Sequence, residues 1–137
     1  MKEYQVSNLD ELQHFAQEFV SAYTEPGVFL LNGHMGAGKT TMVNALCKAW
    51  GIEESSSPTF SLVNEYANKD GIRIFHFDLY RLKNIDEALD IGFEEYLDQK
   101  AFVFIEWPEI ILPLLDRYVE ISIRAEGQIR LIQLKEH

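Results

Sequence analysis

An α/β fold, with a mainly parallel central sheet flanked by helices and antiparallel hairpins added to it, is the class that this 137-residue chain predicts. Three observations carry the prediction. The short apolar run Val28-Phe29-Leu30-Leu31 passes through Gly33, Gly36 and Gly38 into Thr41–Trp50, a helical stretch closed by Gly51. The run Ala101–Ile105 is apolar throughout, as a central parallel strand covered on both faces should be. Two pairs of strand-like runs are separated by turn dipeptides, Asp70-Gly71 and Glu126-Gly127, which is the signature of hairpins.

The elements follow in chain order. Asn8 and Glu11 resemble a capping box ahead of Leu9, Leu12, Phe15, Phe19, Val20 and Tyr23, an apolar helix face. Next come the strand at Val28–Leu31 and its helix. Phe60–Tyr66 and Ile72–Phe77 read as strands, the second alternating in the manner of a half-covered strand. Asn84 is placed to cap a helix whose apolar side includes Ala88, Leu89, Phe93, Tyr96 and Leu97. After the Ala101–Ile105 strand, Tyr118–Ile123 and Ile129–Gln133 form the last expected hairpin.

With 47% hydrophobic residues, the chain is long enough to bury a core, and residues 1–137 are expected to make a single domain. No linker or repeat divides it, and disorder is expected at most in a few terminal residues. The opening MKEYQVSNLDELQHF has no continuous apolar segment, so neither a signal peptide nor a membrane anchor is expected. A single cysteine, Cys47, fits a reducing cytoplasm and reads as a small apolar helix residue. Twelve basic against 22 acidic residues give a net charge of −10. That balance lacks the clustered Lys and Arg of a nucleic-acid surface, so a partner is expected to hold any polyanion. The four histidines, His14, His34, His76 and His137, have no ligand spacing.

The chemistry is concentrated in Gly33-His34-Met35-Gly36-Ala37-Gly38-Lys39-Thr40, a full match to G-x-x-x-x-G-K-[ST]. By chance this match arises in well under about 1% of chains of this length. Its position between a strand and a helix is the one a P-loop requires. The glycines let successive backbone N–H groups face one concavity and hold phosphate oxygens, and the helix N-terminus adds its dipole and unpaired amides. Lys39 would neutralise the β/γ-phosphate charge, and the Thr40 hydroxyl would ligate Mg²⁺. The bland alternative is a glycine turn joining strand to helix.

A P-loop also needs an acidic residue at the end of a neighbouring apolar strand. Ala101–Ile105 leads into Glu106, and Ile72–Phe77 leads into Asp78. Glu106 is therefore expected nearest the metal. Asp78 is expected as a second acid, acting through water or on the attacking nucleophile. Trp107 is either a rim residue beside the nucleotide or ordinary core packing. Thr59, in Ser55-Ser56-Ser57-Pro58-Thr59-Phe60, is either a γ-phosphate sensor or part of a serine-rich turn ended by Pro58.

Asn68-Lys69-Asp70-Gly71 is one place short of the guanine signature N-K-x-D, and it falls in a hairpin turn, so ATP is favoured over GTP. Small-molecule kinases generally close an arginine-bearing lid over the transferred phosphate. The five arginines here, Arg73, Arg81, Arg117, Arg124 and Arg130, are scattered, so a kinase is an alternative rather than the leading reading. A nucleotide-dependent binding switch without essential turnover is another.

Taken together, GHMGAGKTT, SPTFSLVNEY, FHFDLYRL and VFIEWPE resemble the bacterial TsaE family, also called YjeE, over Pro26 to Pro108. The resemblance implies a weak Mg²⁺-dependent ATPase of the tRNA threonylcarbamoyladenosine machinery. Such a protein docks on a TsaB–TsaD pair, is activated by it, supports multiple turnovers and meets tRNA only through those partners. It also implies that Gly33 and Gly36, Ala37, Gly38, Lys39, Thr40 and Thr41 bind ATP phosphates, and that Thr40 and Glu106 hold Mg²⁺. Asp78 would belong to the hydrolytic apparatus and Thr59 to a mobile switch. Tyr80, Arg81 and Trp107 match family positions near the site or the partner surface. Family loops often carry an acidic residue and Leu where this chain has His34-Met35, outside the phosphate-contacting core.

Overall fold

The computed structural model describes residues 2–34, 36–52 and 62–137. Seven strands form one sheet: β1 Lys2–Val6, β2 Val28–Asn32, β3 Val63–Ala67, β4 Arg73–Asp78, β5 Phe102–Glu106, β6 Val119–Glu126 and β7 Ile129–Glu136. Their order is β1-β7-β6-β2-β5-β4-β3. The four central strands β6, β2, β5 and β4 are parallel, and the outer β3, β7 and β1 pair antiparallel with their neighbours. The expected class is therefore the observed one, including the added hairpins.

Helices α1 (Leu9–Ala22) and α2 (Lys39–Ala49) pack against each other and cover one face of the sheet. Helices α3 (Ile85–Asp90) and α4 (Phe93–Leu97), with a 3₁₀ segment at Pro108–Leu114, cover the other. Side-chain alternation divides the strands between these layers. Phe29 and Leu31 of β2 and Phe102 and Phe104 of β5 join the α1/α2 layer, where Phe19 and Trp50 surround them. Leu30, Val103 and Ile105 point the opposite way, toward Phe75, Phe77 and Phe93.

Local chemistry sets the helix ends. Asn8 Oδ1 accepts from the Glu11 amide at 2.8 Å, as a capping residue should. The return half of the box differs from expectation, because Glu11 reaches back to the amide and hydroxyl of Ser7 rather than to Asn8. Those bonds, the hydroxyl first, hold the Glu11 carboxyl below its ordinary pKa. Asn84 caps α3 in the same way through the Glu87 amide. The helix expected to run on from Asn84 is broken at Gly92, whose φ of 83° is left-handed. This position turns the chain so that both short helices face the sheet, and a side chain there would be strained.

Two further differences have a common origin. Strand β4 was expected to be half covered, yet Ile74, Phe75, His76 and Phe77 are all buried, because α3 and α4 cover the face that alternation left open. The N-terminal residues form β1 on β7, a pairing between chain ends that no local pattern announces. Among the described residues no helix is long and apolar enough to cross a membrane.

Cys47 is fully buried in the α1/α2 layer, and loss of hydration pushes its thiol up to about 12. Two outcomes follow. Native protein at pH 8 is expected to resist alkylation until denaturant opens the core; immediate labelling would contradict this burial. Phe104→Ala, which removes a ring packed against Phe19, Phe29 and Trp50, is expected to cost about 3–5 kcal/mol in urea unfolding.

Candidate functional site

The parallel ladder brings the chemistry to one end of the sheet. Strand β2 pairs with β5 so that Leu31 lies opposite Glu106, and β4 pairs with β5 so that Asp78 lies opposite Glu106. The carboxyl ends of β2, β5 and β4 thus meet beside the glycine loop that leaves β2. In an open α/β sheet this edge is where ligands bind.

The loop's shape depends on three glycines for two reasons. Gly36 and Gly38 have φ values of 81° and 103°, which L side chains rarely adopt. Gly33 is constrained by space: an added Cβ would lie 2.8 Å from the carbonyl oxygen of Ile123 on β6. From the other side of the same hairpin, Arg130 Nε donates to the Ala37 carbonyl at 3.1 Å. The hairpin β6–β7 therefore braces the loop at both ends. Gly38 is the N-cap of α2 and has no side chain to cap it, so no side-chain oxygen occupies the first-turn amides.

Lys39, at the start of α2, is only 7% exposed. Its ammonium donates to the Gly33 carbonyl at 2.8 Å, lies 3.8 Å from Glu106 Oε1 and sits 4.5 Å from the centre of the Trp107 ring. Glu106 is 6% exposed, and its other oxygen meets His76 Nε2 at 2.6 Å. Trp107 follows directly with φ 57°, a left-handed conformation in a residue that precedes proline. Such backbone persists where surrounding contacts over-determine it, here the Lys39 ammonium and the Tyr80 ring at 5.0 Å. Asp78 is half-buried, and one carboxylate oxygen accepts from the Tyr80 amide at 3.1 Å.

These groups line one cavity of about 370 Å³, bounded by Gly36, Gly38, Lys39, Thr40, Thr41, Asp78, Tyr80, Glu106 and Trp107. One side offers unpaired amides and an ammonium, which suit phosphate oxygens. The other offers a hydroxyl and two carboxylates, the hard oxygen donors that magnesium takes together with substrate phosphates. The donor set therefore fits a magnesium–triphosphate. A second, larger cavity of about 510 Å³ adjoins it at Gly38 and Thr41 and runs over Asn8, Met42, Ile123 and Arg130.

Of the residues singled out in the sequence, the structure gathers Gly36, Gly38, Lys39, Thr40, Thr41, Asp78, Glu106 and Trp107 around the first cavity. Ala37 lines the second cavity, and Gly33 lies beneath the loop. Thr59 lies outside the described residues. Trp107 combines its two readings, since it lines the cavity and also packs against the core of the α3/α4 layer. Two contributors were not singled out. His76 looked like one of four scattered histidines, although its place two residues before Asp78 puts it on the same strand face. Arg130 gave no local signal.

The model of a protein family described as threonylcarbamoyl adenosine biosynthesis protein TsaE matches residues 6–132. The chain belongs to the TsaE family. Curated TsaE relatives include that of Borreliella burgdorferi, 32% identical over 124 residues that cover 88% of this chain and 90% of the relative. The Haemophilus influenzae TsaE is 39% identical over 113 residues, covering 79% and 71%. The crystal structure of Bacillus subtilis YdiB superposes with a TM-score of 0.74 at 26% identity, over 97% of this chain and 83% of that one. The TsaE relatives are named for tRNA threonylcarbamoyladenosine biosynthesis.

The tight approach of Gly33 to β6 has a direct check. Gly33→Ala must displace the β6 backbone and is expected to lower stability by about 1–3 kcal/mol. Gly27→Ala, whose Cβ would meet only the Phe29 ring at 3.9 Å, serves as the tolerated comparison. Equal thermal stability of the two variants would show that the loop does not press on β6.

Proposed function

We propose that this TsaE-family chain is the ATP-binding and ATP-hydrolysing component of the tRNA threonylcarbamoyladenosine machinery, slow alone and activated when docked on a TsaB–TsaD pair. The observation that carries the reading is the convergence of Lys39, Thr40, Asp78 and Glu106 on a cavity walled by the glycine loop. Family membership supplies the pathway. The chain's acidity, 22 carboxylates against 12 basic residues, suits a protein that leaves tRNA contact to its partners.

In this reading the amides of residues 36–41 bind the phosphate tail, with Gly33 and Ala37 shaping the loop. Lys39 spreads its charge over the β- and γ-phosphate oxygens, where it offsets negative charge as the terminal bond breaks. Thr40 and Glu106 hold Mg²⁺, and when bound the ion supplies electrostatic stabilisation of the phosphates. Asp78 orients or deprotonates the attacking water, since its free carboxylate oxygen is at the strand end beside Glu106. Trp107 packs over Lys39 and closes the rim. Thr59 is proposed as the γ-phosphate sensor from its place in the sequence between the P-loop helix and the next strand, which the resemblance makes a mobile switch. The base and ribose extend past Thr41 into the second cavity, between the start of α1 and the β6–β7 hairpin.

The test is ATP hydrolysis and tRNA modification measured with and without purified TsaB–TsaD. Hydrolysis that rises on adding the pair, with phosphate released to solution, is expected. Asp78→Ala should retain ATP binding yet lose about a hundredfold or more in rate, and sustained modification should fail with it. Full modification by an Asp78→Ala protein that no longer hydrolyses would favour the binding switch instead, and phosphate on a small-molecule acceptor would favour a kinase.

A further inference from the structure

We infer that His76 is a positioning residue, which fixes the Glu106 carboxylate so that one oxygen faces the nucleotide's metal; this rests on the ATP-and-magnesium reading of the site. His76 lies on β4 opposite Phe104 of β5, so the parallel register makes Glu106 its neighbour two residues further along the same sheet face. The ring is 2% exposed and does not line the cavity. It therefore acts on the site only through Glu106.

The geometry explains why an imidazole stands in the buried stretch of β4, among Ile74, Phe75 and Phe77. An ionised Glu106, the form that holds a metal, only accepts hydrogen bonds, so in this proposal His76 Nε2 donates the 2.6 Å bond to Glu106 Oε2. That bond compensates burial of both groups. A glutamate's terminal torsion is otherwise broad. With Oε2 held, Oε1 is left on the side of Lys39, and at 3.8 Å from its ammonium it is too distant for a good hydrogen bond. Without the imidazole, Lys39 is the charged neighbour onto which the carboxylate turns, and the two charges meant for metal and phosphate would pair with each other. Partners that orient metal ligands from behind typically alter metal affinity by 10–100-fold.

The experiment compares ATP dissociation constants with magnesium and with chelator, by calorimetry, in wild type, His76→Phe and His76→Gln. The ratio of the two constants reports the metal's share of binding and needs no turnover. His76→Phe fills the space without a donor, and its ratio should fall at least about tenfold. His76→Gln, whose amide nitrogen reaches the same place as Nε2, should recover most of it. A folded His76→Phe protein with the wild-type ratio overturns the positioning role. Wild type that takes up no ATP, or takes it up equally without magnesium, overturns the underlying reading of the site instead. Imidazole ¹⁵N shifts of wild-type protein at neutral pH give a reading independent of whether His76→Phe folds. Nε2 protonated is expected, and a bare Nε2 overturns the proposal.

Discussion

A buried ammonium organises this protein. Lys39 is almost wholly withdrawn from water at the base of a glycine loop, and a lone charge in that position would be untenable. The Gly33 carbonyl, the Glu106 carboxylate and the Trp107 ring surround it. Each of those partners is delivered by a different piece of the fold: the end of β2, the end of β5, and a backbone kink that only a crowded environment sustains. The parallel pairing of β2, β5 and β4 is thus more than a scaffold. It sets the register at which the cation and two carboxylates come together.

The arrangement leaves the cation incompletely neutralised. Glu106 stands at a distance from Lys39 and spends its better hydrogen bond on His76. Unpaired first-turn amides of α2 and the Lys39 charge make the loop an attractive seat for a polyanion, in a chain whose net charge would otherwise repel one. The β6–β7 hairpin contributes at a distance in sequence, pressing on Gly33 from Ile123 and holding the Ala37 carbonyl through Arg130. It is as much a part of the loop's architecture as the helix that follows.

Much of this could be read from the residues, and the reason is locality. The glycine loop, the apolar run ahead of Glu106, the Asn8 and Asn84 caps and the two hairpin turns all record constraints acting within a few residues. What escaped was set by partners far along the chain. β1 exists because β7 offers an edge, and β4 is covered on both faces because α3 and α4 fold back over it. The break at Gly92 was visible as a glycine but not as a left-handed turn, since apolar spacing continues across it. His76 and Arg130 act through contacts 30 and 93 residues away, which no spacing rule encodes.

The most direct measurement is a crystal structure of the protein grown with magnesium and a non-hydrolysable ATP analogue. The phosphate tail should lie within hydrogen-bonding distance of the amides of residues 36–41, with the Lys39 ammonium on its β- and γ-oxygens. An empty loop at saturating ligand, or a nucleotide bound elsewhere on the surface, would contradict the role assigned to Lys39 and its surroundings.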